Sequence, residues 1–159
     1  MAKVLVVYDS QTGNTEKMAF AVAEGVKQIE GVSVTTKKAN QATLQDLLDA
    51  DGIIMGSPTY FGQMSAKLKG LIDKSIEIHE KLEGKVGAAF TSAGGTATGA
   101  ETTLLSILEA MLIHGMIVQG RSYDKHYGAA ALESPDDEEL KFCRELGKRT
   151  ASLVLKLKK

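Results

Sequence analysis

The sequence has little of several residue types, and each shortage argues against a class of protein. Its 159 residues include a single cysteine, Cys143, so the chain cannot form an internal disulfide. The three histidines are scattered and form no spacing typical of metal ligands, such as CxxC or HxxxH. We therefore expect no metal site and no disulfide-stabilised scaffold, and a reducing, cytoplasmic compartment fits best.

An excess of charge and long apolar runs are also lacking. Nineteen Lys and Arg against twenty Asp and Glu give a formal net charge of −1, which argues against nucleic-acid binding. The apolar opening at residues 4–7 is shorter than a signal-peptide core. No segment approaches the roughly 20 apolar residues that span a bilayer, so we expect no membrane insertion.

What the sequence does contain is a repeated alternation of short apolar strands and amphipathic helices. The strands lack polar alternation, which is typical of strands covered on both faces in a parallel sheet. The pattern predicts strands at 3–8, 32–37, 52–56, 86–91 and 116–119, and helices at 14–29, near 44–48, at 65–79, at 100–113, and from Pro135 onward with Ser134 as its cap. This order predicts one α/β domain over residues 1–159, with a doubly wound five-stranded parallel sheet and helices on both faces.

The loop after the first strand carries hydroxyl and amide side chains but no Lys or Arg. It leads directly into a helix, where backbone N–H groups and the helix dipole favour a phosphate. Neither GxxxxGK[ST] nor GxGxxG occurs, so a phosphomonoester fits better than a triphosphate or a dinucleotide. Taken alone, the loop is equally consistent with a turn that merely caps a helix. Its residues are Ser10, Gln11, Thr12, Gly13, Asn14 and Thr15.

The loops after the third and fourth strands suit a flat ring. The first sets two adjacent aromatics between a proline and a glycine, and the second is small and glycine-rich. In a doubly wound sheet, loops at the carboxyl ends of neighbouring strands meet at one crevice. The alternative for the aromatics is that one packs inward and the other is merely exposed. The residues are Pro58, Thr59, Tyr60, Phe61 and Gly62 in one loop and Ser92, Ala93, Gly94, Gly95, Thr96 and Ala97 in the other.

The residues of these loops resemble the FMN-binding loops of the flavodoxins. Residues 10–15 are similar to the flavodoxin phosphate signature T/S-x-T-G-x-T, and Phe61-Gly62 falls where flavodoxins place an aromatic and a glycine beside the flavin. The resemblance implies a flavodoxin-like sheet of strand order 2-1-3-4-5 and FMN as the cofactor. It also implies that residues 10–15 bind the phosphate, that Thr59, Tyr60 and Phe61 contact the ring, and that residues 92–97 contact the ring edge and its carbonyls.

Within that superfamily the chain is similar to the WrbA-type NAD(P)H:quinone oxidoreductases. This resemblance implies NAD(P)H as electron donor and a quinone as acceptor. The sequence departs from that pattern in having a short connection at residues 38–51, no tryptophan, and Ile113 where the family often has a histidine that contacts FMN. The short connection therefore does not predict the family's tetramer, and a homodimer is the alternative. The matching pieces include 21–25, 56–62, 101–103, 114–116, 127–129 and 134–140.

Two functions are carried forward. The first is an FMN-dependent oxidoreductase that passes electrons from NAD(P)H to a quinone, with no catalytic side chain expected because the flavin performs the chemistry. The second is a flavodoxin, a one-electron carrier between redox partner proteins; Gln63, where an acidic residue is common, favours the first. A receiver domain needs an aspartate where this chain has Gly56-Ser57, whereas a flavin-containing regulatory protein stays open.

Three features outside these loops receive structural interpretations. His114 ends an apolar helix face, which predicts a structural or capping role. Cys143 shares its spacing with apolar residues, which predicts a packed core thiol. The aromatics of residues 123–127, after the fifth strand, either overhang the flavin or form a surface loop.

Overall fold

The computed structural model describes residues 1–158, and strands and helices alternate along it as the sequence predicts. The alternation is interrupted only near the fifth strand and by a short 3₁₀ turn after the third helix. The elements are β1 (Ala2–Tyr8), α1 (Asn14–Lys27), β2 (Val32–Lys38), α2 (Leu44–Asp49), β3 (Gly52–Pro58), α3 (Ala66–Lys74), β4 (Val86–Ala93), α4 (Ala100–Ile113), β5 (Ile117–Val118), β6 (Ala129–Leu132) and α5 (Asp137–Leu157).

The strands form one parallel sheet of order β2-β1-β3-β4-β5, which confirms the expected flavodoxin-like topology. In its register Val6 lies between Thr36 of β2 and Ile54 of β3, and Gly56 lies opposite Phe90 of β4. Because all pairs are parallel, the carboxyl ends of β1, β3 and β4 lie at the same edge of the sheet. The loops that the sequence singles out start at that edge.

The fifth strand differs from the prediction of one strand at 116–119. It consists of two pieces, β5 and β6, both parallel to β4. β5 pairs with the start of β4 at Val86 and Gly87, and β6 pairs with its end from Phe90 onward. Residues 119–128 leave the sheet between the two pieces. The sheet therefore has six strands rather than five.

Apolar layers cover both faces of the sheet. Alternate residues of β1 and β3 point to opposite faces, so Val6 and Ile54 face one layer while Leu5 and Ile53 face the other. Helices α1 and α5 supply the first layer, and α2, α3 and α4 supply the second. All residues of β3 and β4 are buried, as the absence of polar alternation predicts.

Helices α1 and α5 pack closely because each carries a glycine at the contact. A Cβ atom on Gly147 of α5 would overlap the Val22 carbonyl of α1, and one on Gly25 of α1 would overlap the Arg144 carbonyl of α5. Alanine at either position would force the two backbones apart. The two glycines therefore set the distance between α1 and α5.

Two helix ends differ from the prediction. Helix α5 starts at Asp137, and its cap is Asp136 rather than Ser134, because the Asp136 carboxylate accepts from the Glu139 N–H at 2.8 Å and the Glu139 carboxylate accepts from the Asp136 N–H at 2.9 Å. The helix predicted at 65–79 becomes 3₁₀ after Lys74, where the Ser75 hydroxyl donates to the Ile72 carbonyl at 2.6 Å. The helix predicted at 14–29 ends at Lys27.

The structural interpretations of His114 and Cys143 are confirmed. His114 is the C-cap residue of α4, and its Nε2 lies 2.7 Å from the Ser75 hydroxyl. Burial and the neighbouring His79 lower the pKa of His114. Cys143 is fully buried, and that burial raises the pKa of its thiol to about 12. Among residues 1–158, no helix combines the length and apolarity that crossing a membrane requires.

Candidate functional site

The structure brings the three predicted loops together at the carboxyl edge of the sheet. The hydroxyl oxygens of Thr15, after β1, and Ser92, at the end of β4, are 2.7 Å apart. The Tyr60 hydroxyl, after β3, donates to the Gln11 side-chain carbonyl at 2.9 Å. The Thr59 N–H donates to the Ser92 carbonyl at 2.8 Å. Each loop is therefore hydrogen-bonded to the other two.

The loop at residues 10–15 leaves the start of α1 open to a ligand. Gly13 takes the N-cap position with a φ of 95°, in the left-handed region, and no side chain caps the helix. The Gly13 N–H donates to the Ser10 hydroxyl at 3.1 Å, which closes the loop into a tight turn. The first-turn N–H groups of Asn14, Thr15 and Glu16 have no acceptor within the helix. These groups form an uncapped set of donors at the positive end of the helix dipole.

The side chains of this loop divide by burial. Gln11 and Thr12 are exposed, whereas Ser10 and Asn14 are half-buried. Thr15 is buried, and its hydroxyl is paired with that of Ser92. In such a pair one O–H donates to the other oxygen, so the second O–H remains able to donate elsewhere. The structure thus gives Thr12 and Thr15 different environments, which the sequence pattern does not distinguish.

The aromatic pair after β3 lies in a tight two-residue turn. Tyr60 and Gln63 exchange two backbone hydrogen bonds of 3.0 Å, with Phe61 and Gly62 between them at φ values of 51° and 73°. Positive φ at both central residues is typical of the type I′ hairpin turn. Tyr60 is 40% exposed and Phe61 is fully exposed. The alternative in which one aromatic packs inward is therefore wrong, and both rings are available to a ligand.

The loop after β4 is anchored at its base and open at its tip. Thr91 and Ser92 are buried, and the Thr91 hydroxyl lies 2.9 Å from that of Thr59. Beyond them Gly94 is exposed, and a Cβ placed on it would meet no atom within 4 Å. Ala97 holds a positive φ of 56°. Strands β3 and β4 each extend two residues beyond the prediction, so Pro58, Ser92 and Ala93, which were predicted in the loops, are buried strand residues.

Two glycines bring the β3 and β4 loops into backbone contact. Gly99 caps α4 with a φ of 104°, and a Cβ on it would lie 2.7 Å from the Cα of Gly62. No side chain caps α4 either. Gly99 was not among the predicted site residues, and no local signal marks it, because a residue at a helix N-cap is ordinarily extended. The contact fixes the aromatic turn against the start of α4.

The three loops contain no charged residue at positions 10–15, 59–63 and 92–99. The carboxylate nearest to them in the sequence is Asp9, and Glu16 follows in the first turn of α1. Glu16 is already engaged, because the Tyr8 hydroxyl donates to it at 2.5 Å and Lys38 lies 3.5 Å away. The Tyr8 hydrogen bond lowers the pKa of Glu16, and burial, followed by that same bond, raises the pKa of Tyr8.

This donor set fits FMN. An uncapped helix terminus with neutral hydroxyls suits a phosphate that needs neither Mg²⁺ nor a counter-cation. Two exposed aromatic rings beside a small, open loop suit a flat heterocycle. The aromatics at residues 123–127 lie in the exposed loop between β5 and β6, which hydrogen-bonds to α5 through Arg149 and Gly120. This exposure is compatible with both predictions for the loop, a surface loop and one that overhangs the flavin.

Comparison with known proteins identifies the family to which this chain belongs. The sequence matches the family model described as NADPH-dependent FMN reductase over residues 2–126. That range covers more than half of the chain, so the protein belongs to this family of flavodoxin-like oxidoreductases. The expected cofactor, FMN, and the expected involvement of NAD(P)H agree with the family description.

The relatives carry two kinds of name. A flavodoxin from Aquifex aeolicus is 41% identical over 162 residues, covering 97% of this chain and 88% of its own length. An NAD(P)H dehydrogenase (quinone) from Archaeoglobus fulgidus is 37% identical over 191 residues, covering 99% of this chain and all of its own. A solved WrbA-like flavodoxin from Agrobacterium tumefaciens superposes with a TM-score of 0.81 at 27% identity, covering 98% of this chain and 99% of its own.

Proposed function

We propose that this protein is an FMN-dependent oxidoreductase that takes electrons from NAD(P)H and passes them to a quinone. The observation that carries the proposal is the crevice itself, where an uncapped helix start and neutral hydroxyls adjoin two exposed aromatic rings. The full-length similarity to an NAD(P)H dehydrogenase (quinone) supports the same choice of donor and acceptor. We further propose that residues 1–159 act as one FMN-binding domain in the cytoplasm, as a monomer or a homodimer.

Each loop has a separate role in this proposal. Residues 10–15 hold the phosphate through hydroxyls and the N–H groups of the first turn of α1. The flavin ring contacts Thr59, Tyr60 and Phe61, and the turn that carries these residues is shaped by Pro58 and Gly62. The edge of the ring and its carbonyls are lined by residues 92–97. The chemistry that bound FMN would supply is the acceptance of a hydride and the transfer of its two electrons to the acceptor. No side chain of the crevice is required as a general acid or base.

The electrostatics of the crevice favour the proposal. The helix dipoles of α1 and α4 both present positive ends to it, and the loop residues add no carboxylate. These helix ends would favour negative charge on a bound FMN, whereas the carboxylates that border the loops, Asp9, Glu16 and Glu101, would oppose it. Glu16 is paired with Tyr8 and Lys38, which reduces its opposing effect.

A second candidate is electron transfer as a flavodoxin. The Aquifex aeolicus relative is named as one, and the fully exposed Phe61 ring offers a surface that a partner protein can reach. A flavodoxin receives its electrons from a protein reductase rather than from NAD(P)H. The two candidates therefore differ in the donor that each accepts.

Steady-state kinetics test the enzymatic proposal. We expect initial rates measured with varied NADPH and varied benzoquinone to give parallel double-reciprocal lines, because the donor leaves before the acceptor binds in a ping-pong reaction. Intersecting lines would contradict this order of events. Reduction only in the presence of a separate flavodoxin reductase would favour the second candidate.

A further inference from the structure

Glu16 lies at a position of α1 from which a carboxylate commonly reaches back to the start of its own helix. Gly13 is the N-cap residue, so Glu16 is the third residue of the helix. In α5 the acidic residue at the equivalent position does reach back, because the Glu139 carboxylate accepts from the N–H of the N-cap residue, Asp136, at 2.9 Å. The first turn of α2 is built in the same way. In both helices a side chain supplies an acceptor that the helix start itself lacks.

The Glu16 carboxylate is instead held by two side chains at the ends of neighbouring strands. The Tyr8 hydroxyl, at the end of β1, donates to Glu16 Oε2 at 2.5 Å. The Lys38 ammonium, at the end of β2, lies 3.5 Å from the same oxygen. Tyr8 and Lys38 are direct partners in the register of the sheet, so one edge of the sheet places both. Within the described residues no side chain caps α1, and the carboxylate best placed to approach its first turn is engaged outside the helix.

Tyr8 is the stronger of the two groups that hold Glu16. Its side chain is 4% exposed, and the centre of its ring lies 6.4 Å from that of Phe20, so packing fixes the position of the hydroxyl. The Lys38 side chain is 48% exposed, and an exposed ion pair contributes little free energy. The Tyr8 hydrogen bond is also the main cause that lowers the pKa of Glu16, which keeps the carboxylate charged and able to accept.

A Glu16 carboxylate released from Tyr8 would compete with a phosphate for the same donors. The Gly13 N–H already has an acceptor within its loop, so the open donors are the first-turn N–H groups of Asn14, Thr15 and Glu16 itself. These N–H groups and the positive end of the helix dipole attract a carboxylate as well as a phosphate. The two anions cannot share the donors, because like charges at such short range repel each other.

We propose that Tyr8 is a positioning residue for FMN binding, because its hydroxyl holds the Glu16 carboxylate away from the start of α1 and so leaves the first-turn N–H groups to the phosphate. Tyr8 acts through Glu16 and need not touch FMN. The inference rests on the proposed placement of the phosphate at residues 10–15, but it does not depend on which electron donor or acceptor the protein uses.

Isothermal titration of the wild type and Tyr8→Phe with FMN and with riboflavin tests the proposal. Phenylalanine keeps the buried ring and removes only the hydroxyl. We expect Tyr8→Phe to weaken FMN binding by roughly 10-fold, the value of a hydrogen bond to a charged group that the phosphate must now displace. Riboflavin lacks the phosphate, so its affinity should not change.

Amide hydrogen exchange of the flavin-free protein, followed by NMR, gives a second measurement that needs no bound flavin. In Tyr8→Phe the released carboxylate should protect the N–H groups of residues 14–16, which exchange faster in the wild type. Protection that is the same in both proteins would mean that Glu16 does not approach the helix start, and it would overturn the proposal.

A second substitution at Glu16 separates positioning from a structural role of Tyr8. In a protein that already carries Glu16→Ala, the further change Tyr8→Phe should cost no FMN affinity, because the competing carboxylate is absent. Glu24→Ala is the matched control, since Glu24 is an exposed carboxylate of the same helix whose partner is Arg144. In that background Tyr8→Phe should keep its full effect.

The outcomes distinguish this inference from the placement of the phosphate. An equal loss of FMN affinity with and without Glu16→Ala, or an equal loss for riboflavin, would mean that Tyr8 only supports the fold. Unchanged FMN affinity in Tyr8→Phe, in a protein whose wild type prefers FMN to riboflavin, would overturn the inference alone. A wild type that binds FMN no more tightly than riboflavin would overturn the inference together with the phosphate site at residues 10–15.

Discussion

At the scale of single residues, hydroxyl groups take the place that cations occupy in many phosphate sites. The loop of residues 10–15 has no Lys or Arg, and the donors that it offers are side-chain hydroxyls and the open amides of α1. Thr12 is exposed with its hydroxyl free of the other loops, while Thr15 is buried against Ser92. A substitution of Thr12 therefore tests FMN binding alone, whereas a substitution of Thr15 tests both FMN binding and the stability of the fold.

Thr12→Ala should weaken FMN binding without changing the stability of the flavin-free protein. A hydrogen bond to a charged group contributes about 1.5–3 kcal/mol, which corresponds to roughly 10- to 150-fold in affinity. Thr15→Ala should weaken FMN and also lower the free energy of unfolding by about 1 kcal/mol, because Ser92 loses its partner. Isothermal titration and chemical denaturation measure the two effects. Unchanged affinity in both variants would mean that the phosphate lies elsewhere.

At the scale of helices and strands, close backbone contacts decide which substitutions the fold accepts. Gly147→Ala should destabilise the protein by roughly 1–3 kcal/mol or more, because its methyl group would meet the Val22 carbonyl, which belongs to a helix backbone and cannot move aside. Gly70→Ala in α3 is the matched control. Its Cβ would meet no atom, so it should raise stability by about 0.5–1 kcal/mol. Urea denaturation of both variants checks the opposite signs; equal effects would refute the contact.

The Asp46 carboxylate, in the first turn of α2, should make part of the free energy of unfolding depend on pH. Burial acts to raise the pKa of Asp46, but hydrogen bonds from Lys37 and Thr43 outweigh it and lower the pKa. A carboxyl whose folded pKa is depressed stabilises the fold above its unfolded pKa of about 3.9 and loses that contribution as the pH falls through the lower folded value. Asp46→Asn should therefore cost up to about 1 kcal/mol at pH 7 and much less near pH 2.

Denaturation of Asp46→Asn and wild type across this pH range checks the expectation. Asp49→Asn, which removes the same charge from an exposed residue of the same helix, serves as the control for altered charge. A stability difference that stayed constant from pH 7 to pH 2 would contradict the role given to the Asp46 carboxylate.

The elements that sequence reasoning predicted well are those with a strong local pattern. Helix α4 was predicted at the observed residues 100–113, and β3 and β4 were recognised from unbroken apolar runs. β6 was missed because three alanines and a leucine have no strand signal, and only pairing with β4 makes them a strand. The start of α5 was placed too early because Ser134-Pro135 is a good start signal, yet the reciprocal bonds of Asp136 and Glu139 are stronger.

At the scale of the whole molecule, the topology assembles a site that no single loop could form. The sequence predicts all three loops because each follows an apolar strand, and the parallel order places their starts at one edge. The contacts between loops, such as Tyr60 with Gln11 and Gly62 with Gly99, join residues far apart in the chain. No local pattern encodes these contacts, so they became visible only in the folded structure.

The relatives of this chain carry two names, NAD(P)H dehydrogenase (quinone) and flavodoxin, and both match it over nearly its whole length. The two functions proposed for this chain differ in the donor that reaches the flavin. We propose that pyridine nucleotide donates electrons to the flavin of this protein without a separate reductase.

Anaerobic addition of NADPH, and then of NADH, to the FMN-loaded protein tests this proposal. The visible absorbance of the oxidised flavin should bleach promptly and be restored by a quinone such as benzoquinone, with Thr12→Ala protein at saturating FMN as a control for flavin occupancy. Absorbance that persists with both nucleotides and disappears only on addition of dithionite would contradict the claim. That result would make the protein an electron carrier that depends on a separate reductase.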